Sequence, residues 1–140
     1  MNIYFAGSIR GNPQGKELYP LIIEELKKYG NVLTEMYGRS HRTDIPNQGR
    51  SDQAIFTDDV DKLDQSDIIV AEVTGPSLGC GREICYGQCV RKIPVICLYL
   101  EDTNLSAMIR GNDYLHLSPY TPETMIDVID RSMKTIIPIY

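Results

Sequence analysis

Short apolar blocks recur along the chain and are separated by polar or glycine-rich stretches. The blocks NIYFAG at 2–7 and DIIVAEV at 67–73 have the length and composition of strands buried on both faces. IPVICLYL at 93–100 is a third block of this kind, and NVLTE at 31–35 and YLHL at 114–117 are weaker candidates. The pattern therefore predicts a sheet of about five strands.

Segments whose apolar residues fall at helical spacing lie between these strands. Ser51 is a candidate N-cap for one of them, and Thr121 and Pro122 mark the start of the last. LSAMIRG at 105–111 is predicted to be a loop or short turn, and 36–50 a long polar loop of the kind that is often functional. The predicted helices cover residues 17–29, 51–66, 78–92 and 121–134.

This alternation of strands and helices is typical of an α/β protein with a parallel sheet and helices on both faces. We expect one domain over residues 1–140, since no linker or internal repeat is visible. Ligands of such sheets bind beyond the carboxyl ends of the strands. The segments expected there, and hence the places to look for chemistry, are residues 7–15, 36–50, 73–79 and 100–112.

The charge and hydropathy of the chain narrow the classes of partner. A net charge of −5 argues against a protein that holds nucleic acid by broad electrostatic attraction, although a local phosphate site needs only a few donors. No apolar run approaches the roughly 20 residues that cross a bilayer, and MNIYFAGSIR has no cationic leader. We therefore expect neither a nucleic-acid nor a membrane partner, and a cytoplasmic location.

The cysteines do not form a metal-binding pattern. None of Cys80, Cys85, Cys89 and Cys97 belongs to a C-x-x-C pair, and the chain has two histidines. We therefore expect no zinc site or other bound metal. The favoured interpretation is that all four are free thiols packed as small apolar residues.

Two glycine-rich loops carry hydrogen-bond donors. In GSIRG, Gly7 and Gly11 allow a ligand to approach the backbone, and Ser8 and Arg10 add polar groups. TGPSLGCG at 74–81 supplies a serine and the N–H groups of a helix start, which together suit a phosphate. Each loop could equally be a plain turn, so the pattern leaves both interpretations open.

The acidic residues likewise admit either a structural or a catalytic interpretation. Glu83 is predicted in the first turn of its helix, where an acid is either stabilised by the helix dipole or acts as a nucleophile or base. Most of the aspartates between residues 58 and 64 must form a solvated face, and the pattern does not select one that turns toward the crevice. Tyr4 within the first strand and Ser106 in LSAMIRG likewise admit purely structural roles, in core packing and in capping a turn.

Several of these stretches together resemble one family. IYFAGSIRG, LTE, DIIVAEVTGPSLGCGRE and LSAMIRG are similar to the 2′-deoxynucleoside 5′-phosphate N-hydrolases of the nucleoside 2-deoxyribosyltransferase superfamily. The resemblance covers nearly the whole chain apart from residues 36–50 and the last helix. It implies a single Rossmann-like, flavodoxin-like domain that needs no cofactor. It also implies cleavage of the bond between a base and a 5′-phosphorylated deoxyribose.

The resemblance implies catalytic roles for three residues. Glu83 matches the family's nucleophile, which attacks C1′ and forms a covalent glycosyl-enzyme. Asp59, in a D-x-x-x-L pattern, matches the acid that protonates the leaving base and later activates water. Tyr4 matches a tyrosine that orients the nucleophile and crowds the 2′ position.

The resemblance also implies a phosphate site and a homodimer. The serine of LSAMIRG, here Ser106, reaches the neighbouring subunit's site in that family, so two copies of the chain are expected to complete each other. The residues matched to substrate and phosphate binding are Gly7, Ser8, Ile9, Arg10, Gly11, Ser77, Gly79, Ser106 and Met108.

Two departures from the family and three alternatives remain open. Arg82 stands where the hydrolases have a tyrosine, and it would either favour ionised Glu83 or point to solvent. The loop with Tyr37 and His41 differs from the family's, so the preferred base does not carry over. The alternatives are a nucleoside 2-deoxyribosyltransferase, a ribonucleotide hydrolase and a nucleotide-sensing module without turnover.

Overall fold

Five parallel strands form one sheet in the computed structural model, which describes residues 1–8, 15–38 and 49–137. Their order across the sheet is β2-β1-β3-β4-β5, and every neighbouring pair is parallel. This is the flavodoxin-like order of a Rossmann-like fold, so the predicted α/β class is confirmed. The strands are β1 (Asn2–Ala6), β2 (Asn31–Val32), β3 (Ile68–Glu72), β4 (Val95–Leu100) and β5 (His116–Tyr120).

Helices cover both faces of the sheet, as predicted. Alternate residues of the central strands divide the apolar core into two layers, one under α1 and α5 and the other under α2 and α3. Ile3 and Phe5 of β1 enter the first layer, whereas Tyr4 and Ala6 enter the second. The helices are α1 (Tyr19–Leu26), α2 (Asp52–Asp64), α3 (Leu78–Tyr86), α4 (Ala107–Arg110) and α5 (Met125–Ile136).

The second strand is shorter than the predicted 31–35. The Thr34 hydroxyl accepts a hydrogen bond from the Phe5 N–H at 2.9 Å and lies 2.8 Å from the Phe5 carbonyl oxygen, to which it donates. A buried side chain therefore takes the place of ladder hydrogen bonds beside β1, and the strand ends at Val32.

Helix starts were predicted with mixed success. Ser51 does cap α2, because its hydroxyl oxygen accepts a hydrogen bond from the Ala54 N–H at 3.1 Å. The last helix begins later than predicted, since Thr121 and Thr124 first close a separate turn and α5 starts at Met125. LSAMIRG contains the single-turn helix α4, and the first predicted helix begins as a 3₁₀ turn at Lys16–Leu18.

The interpretation of the cysteines was half wrong. Cys80 and Cys97 are buried thiols that pack between the sheet and α3, as expected. Cys85 and Cys89 are exposed instead, with their sulfur atoms 3.9 Å apart on one face of α3 and the π-helical turn Gly87–Arg91 that follows it. Their one-turn spacing puts both on the helix face that points away from the sheet.

Most of the predicted polar loop lies outside the described residues, including His41. Its first residues belong to a 3₁₀ turn at Glu35–Gly38. Within the described parts of the chain, no helix has the length and hydropathy needed to cross a membrane.

Candidate active site

The crevice lies where the sheet order reverses. The chain passes from β1 to β2 on one side and then to β3 on the other, so the carboxyl ends of β1 and β3 are adjacent and their following segments diverge. Ser8 follows β1 at this edge, and the loop 73–77 follows β3. Two of the predicted ligand-binding loops therefore start side by side.

A tyrosine and a glutamate meet beneath this edge. Tyr4 is fully buried on β1 with its ring toward α3, and its hydroxyl donates a hydrogen bond to Oε1 of Glu83 at 2.9 Å. These residues are 79 positions apart in the chain, so the contact is a product of the fold. Tyr4 is thus both a core residue and a fixed partner of the acid.

Glu83 lies in the second turn of α3, not in the first as predicted. The helix begins at Leu78 with Ser77 as its N-cap, and its first turn contains no acid. The dipole interaction falls off within the first turn. The helix dipole therefore does not explain why an acid occupies position 83.

The surroundings of Glu83 raise its pKa to about 7. Burial is the largest cause, because it disfavours the charged carboxylate. The hydrogen bond from Tyr4 favours the carboxylate and lowers the pKa of Glu83. The charge of Asp59 raises this pKa, and the charge of Arg82 makes the smallest contribution and lowers it. With this pKa the carboxyl group exists in both its ionised and its protonated form near neutral pH.

The aspartates of α2 differ in their surroundings in the structure, whereas the sequence pattern alone could not distinguish them. Asp58 binds the Lys62 ammonium at 2.5 Å, and Asp64 accepts a hydrogen bond from the Tyr86 hydroxyl at 2.8 Å. Asp61 is exposed. Asp59 is partly buried and is the α2 carboxylate whose charge acts on Glu83. The fold therefore brings Tyr4, Asp59 and Glu83 together.

A contact that the sequence analysis missed joins the two helices that carry these acids. The Arg82 guanidinium on α3 stacks over the ring of Phe56 on α2, 4.8 Å from its centroid, and lies 5.7 Å from the centroid of the Tyr86 ring. Phe56 precedes Asp59 by three residues and so shares its helix face. In the sequence, the available signal was an aromatic residue three positions before an acid. In the structure, Arg82 neither pairs closely with Glu83 nor points only to solvent.

The first predicted phosphate loop is described up to Ser8. Ser8 is fully buried, and its N–H donates to the Tyr19 hydroxyl at 2.9 Å. Its own hydroxyl is buried without a hydrogen-bond partner among the described residues. Gly7 lies so close to Tyr19 that a Cβ atom would come within 2.6 Å of the ring. Ile9, Arg10 and Gly11 lie outside the described residues.

The second predicted loop ends at the N-terminus of α3. The Ser77 hydroxyl accepts a hydrogen bond from the Cys80 N–H at 3.2 Å, and Gly79 is exposed beside it. Backbone N–H groups at such a helix start can bind an anion. Glu83 comes six positions after Ser77, which corresponds to about 9 Å along a helix. A phosphorylated ligand held at Ser77 can therefore extend toward Glu83.

Ser106 lies on a different side of α3. It caps α4 by accepting a hydrogen bond from the Met108 N–H at 3.2 Å. Ser106, Met108 and Ser77 line a groove of about 880 Å³ between α3 and α4, whose wall does not include Tyr4, Asp59 or Glu83. Within one chain the structure therefore brings Ser106 close to Ser77 but not to the acid pair.

No metal site is visible in the described regions, where no three histidine, cysteine or acidic side chains form a cluster able to hold an ion. The described part of the crevice instead combines two carboxyl groups, a tyrosine hydroxyl and hydrogen-bond donors.

The model of the nucleoside 2-deoxyribosyltransferase family matches residues 3–127. The chain belongs to this family. The matched region includes Tyr4, Asp59, Glu83 and both described loop ends, Ser8 and Ser77. The resemblance read from the sequence motifs is thereby confirmed at the level of the family.

Curated relatives are similar over most of the chain. The chain is 38% identical to "5-hydroxymethyl-dUMP N-hydrolase" of Danio rerio over 97% of this chain and 98% of the relative. It is 42% identical to the protein of the same name from Esox lucius, over 96% and 97% of the two chains. For the Homo sapiens protein of that name the identity is 38%, over 78% of this chain and 64% of the relative.

Proposed function

We propose that the protein hydrolyses the N-glycosidic bond of 2′-deoxynucleoside 5′-monophosphates, giving a free base and 2-deoxyribose 5-phosphate. The observation that carries the proposal is the half-buried Glu83, which accepts a hydrogen bond from the Tyr4 hydroxyl and whose pKa the charge of Asp59 helps to raise. Similar proteins are named as hydrolases of 5-hydroxymethyl-dUMP, which is a substrate of this chemical class. Two acids and a tyrosine at one crevice suit glycoside cleavage.

The proposed reaction has two steps. In the first, a carboxylate oxygen of ionised Glu83 attacks C1′, the C1′–N bond breaks, and its electron pair leaves with the base, which takes a proton from Asp59. In the second, Asp59 accepts a proton from water, the water oxygen attacks C1′, and the bond from C1′ to Glu83 breaks. The two displacements give net retention at C1′ and return both acids to their starting states.

The Tyr4 hydroxyl has two roles in this proposal. Its hydrogen bond fixes the Glu83 carboxylate and favours its ionised form. It also occupies the space beside the nucleophile, where a 2′-hydroxyl of a ribonucleotide would have to fit. We therefore propose a preference for deoxyribose.

The phosphate is proposed to bind where the first loop meets the start of α3. Ser8 contributes a buried hydroxyl without a described partner, and Ser77 and Gly79 lie at a helix N-terminus. Gly7, Ile9, Arg10 and Gly11 would complete this site, with Arg10 supplying positive charge. Through these local hydrogen-bond donors and the charge of Arg10, a protein of net charge −5 could still bind a phosphorylated substrate.

We propose further that two copies of the chain form a homodimer through the α3–α4 groove. Leu78 and Met108 are 97% and 81% exposed at this groove, which a single chain leaves uncovered. A partner that covers them would bury apolar surface. It would also bring its own Ser106 toward the phosphate site at Ser77, and Met108 with it.

We also propose that the protein is located in the cytoplasm. All four cysteines are free thiols, which fits a reducing compartment. Separating cell fractions and assaying base release in each would test it.

Release of base from a substrate panel tests the proposed activity. The panel comprises deoxynucleoside monophosphates including 5-hydroxymethyl-dUMP, their ribose counterparts, and unphosphorylated deoxynucleosides with and without a free acceptor base. We expect release from the deoxynucleoside monophosphates alone, and none with Glu83→Ala. Base exchange on free nucleosides would instead indicate a transferase, and binding without turnover a nucleotide-sensing module.

A further inference from the structure

The helix that carries Asp59 packs into the core at one end only. Leu63, near the C-terminal end of α2, is the one fully buried side chain of this helix and lies in the layer under α2 and α3. From Asp52 to Asp58 the side chains are exposed or half-buried. Asp59 comes one turn before Leu63, so the apolar core does not by itself fix the distance of Asp59 from Glu83.

Two side-chain contacts with α3 lie on either side of Asp59 along α2. Before it, the Arg82 guanidinium stacks over the ring of Phe56, 4.8 Å from its centroid. After it, Asp64 accepts a hydrogen bond from the Tyr86 hydroxyl at 2.8 Å. The Arg82 guanidinium is also 5.7 Å from the centroid of the Tyr86 ring, so Arg82 lies within cation–π distance of one ring on each helix.

The direct effect of the Arg82 charge on Glu83 is small. Among the groups that shift the pKa of Glu83, Arg82 makes the smallest contribution, and Asp59 on the other helix makes a larger one. Arg82 is nevertheless adjacent to Glu83 in the chain. A guanidinium stacks readily on aromatic faces, so the ring of Phe56 explains the placement of Arg82 better than the charge of its neighbour does.

We propose that Arg82 and Phe56 are positioning residues, which hold Asp59 at the distance from Glu83 that the reaction needs. The inference rests on the proposed function, because Asp59 must reach both the leaving base and the attacking water. Phe56 and Asp59 share a helix face, so a shift of the first turns of α2 away from α3 also moves Asp59. In this account neither Arg82 nor Phe56 touches C1′ or the base.

The stack lies at the surface, so its loss should leave the fold intact. Phe56 is 52% exposed, and Arg82 is exposed as well. Cation–π contacts at exposed sites contribute little to the stability of a whole domain. Leu63 in the core and the hydrogen bond from Tyr86 still hold the C-terminal end of α2.

Phe56→Leu and Arg82→Met each remove the stack from one side. We expect each to lower kcat about tenfold to a hundredfold, because a misplacement of about 1 Å can cost on the order of a hundredfold in rate. KM should change little, since the phosphate contacts are kept. The double variant should be no less active than the less active single variant, because both changes remove the same contact. Phe56→Tyr keeps the ring and should keep the native kcat.

The leaving base distinguishes a displaced Asp59 from a general loss of activity. Deoxyuridine monophosphate and its 5-fluoro derivative differ by one fluorine atom, which makes the base more acidic, so the fluorinated base leaves with less help from a general acid. Single turnovers with excess protein isolate the cleavage step. We expect Phe56→Leu to slow cleavage of the fluorinated substrate less than that of the other. Equal losses for the two substrates overturn the inference.

The pH dependence of kcat gives a second measure of the position of α2. Burial and the charge of Asp59 raise the pKa of Glu83 to about 7, while the Tyr4 hydrogen bond and Arg82 lower it. Phe56→Leu changes no charge and leaves Tyr4 in place, so withdrawal of α2 should lower this pKa and move the acid limb to lower pH. An acid limb that stays in place or moves to higher pH overturns the inference.

A matched control and the unchanged protein separate this inference from the proposed function. Arg131→Met removes the same charge from an exposed position on α5, on the other face of the sheet, and should leave kcat unchanged. Native kcat in both Phe56→Leu and Arg82→Met overturns the inference, while base release by the unchanged protein still supports the function. No base release by the unchanged protein overturns both. If Phe56→Leu does not fold, the comparison of the two substrates with Arg82→Met decides, and equal losses again overturn the inference.

Discussion

The pKa of Glu83 is determined by neighbouring groups that act in opposite directions. Burial and Asp59 raise its pKa, while the Tyr4 hydrogen bond and Arg82 lower it, and the balance is about 7. A nucleophile must be ionised to attack, so turnover should rise as pH increases through this value. The Tyr4 hydroxyl is therefore a pKa determinant as well as a structural contact.

Tyr4→Phe should move the acid limb of the kcat profile to higher pH. Loss of the hydroxyl removes the hydrogen bond that favours ionised Glu83, so the pKa of Glu83 rises above about 7. The measurement is kcat against pH at saturating substrate, with Tyr114→Phe as a control because Tyr114 donates to the Ile93 carbonyl far from the crevice. An acid limb that stays in place, or moves to lower pH, would contradict this role of Tyr4.

Glu72→Gln should stabilise the fold at high pH and have little effect at low pH. Burial raises the pKa of Glu72 from 4.5 to about 7, so the folded state holds its proton over a range in which the unfolded chain has lost it. The stability linked to this proton is fully present below pH 4.5 and is lost as pH rises through 7. Above that, the ionised carboxylate costs about 3 kcal/mol, which the amide avoids.

Thermal unfolding of both proteins at pH 4.5 and pH 8.5 measures this difference. The Glu72 Oε1 atom accepts hydrogen bonds from the Thr74 and Tyr120 hydroxyls, and the side-chain oxygen of glutamine can accept both. We expect the Tm of Glu72→Gln to exceed that of the unchanged protein at pH 8.5, and the two Tm values to be equal at pH 4.5. A lower Tm for Glu72→Gln at pH 8.5 but not at pH 4.5 would mean that Glu72 stabilises the fold in its charged form, and would contradict this account.

At the scale of the elements, the start of α3 carries Ser77, a proposed phosphate ligand. Ser77 caps α3 and Ser51 caps α2 through the same kind of hydrogen bond from a backbone N–H three residues later. Only the cap of α3 lies at the crevice. The two serines therefore allow a capping effect to be separated from a phosphate contact.

Ser77→Ala should lower kcat/KM for the monophosphate by roughly tenfold to a hundredfold, since a hydrogen bond to a charged group contributes about 1.5–3 kcal/mol. Loss of the cap alone costs about 1 kcal/mol of helix stability. Ser51→Ala loses a comparable cap and should leave kcat/KM unchanged, as measured by base release. Similar losses of activity in both variants would show that the cap, and not phosphate binding, is responsible.

Most elements could be predicted because their local patterns agree with the fold. DIIVAEV is a short apolar run bounded by polar residues, and the helix after Ser51 has a capping serine and a partial apolar stripe. The loop motifs carried the family resemblance. The acid at position 72 could not be interpreted, because within a buried strand its environment comes from Tyr19 and Tyr120, distant in sequence. For the same reason only the packing of α2 against α3 distinguishes Asp59 from its neighbours.

At the scale of the whole molecule, the proposed homodimer would form through the α3–α4 groove. Its rim carries exposed apolar side chains, and Ser106 lies in it away from the acid pair of its own chain. A symmetric dimer would place the same surface on both partners. Each crevice would then combine Glu83 of one chain with Ser106 of the other.

Mixing two inactive variants tests this arrangement. Glu83→Ala and Ser106→Trp chains, allowed to exchange subunits, should form mixed dimers in which one crevice has both native residues. With random exchange, roughly a quarter of the native activity should return. Exchange demonstrated by mass spectrometry without any recovery would mean that Ser106 serves the crevice of its own chain.

The stereochemistry of sugar transfer to methanol tests the central claim most directly. Methanol replaces water in the second step and gives a methyl glycoside of 2-deoxyribose 5-phosphate whose configuration is stable. Two displacements through Glu83 predict the β anomer, the configuration of the substrate, and none of this product with Glu83→Ala. Formation of the α anomer, or of the same product by Glu83→Ala protein, would contradict a covalent intermediate on Glu83.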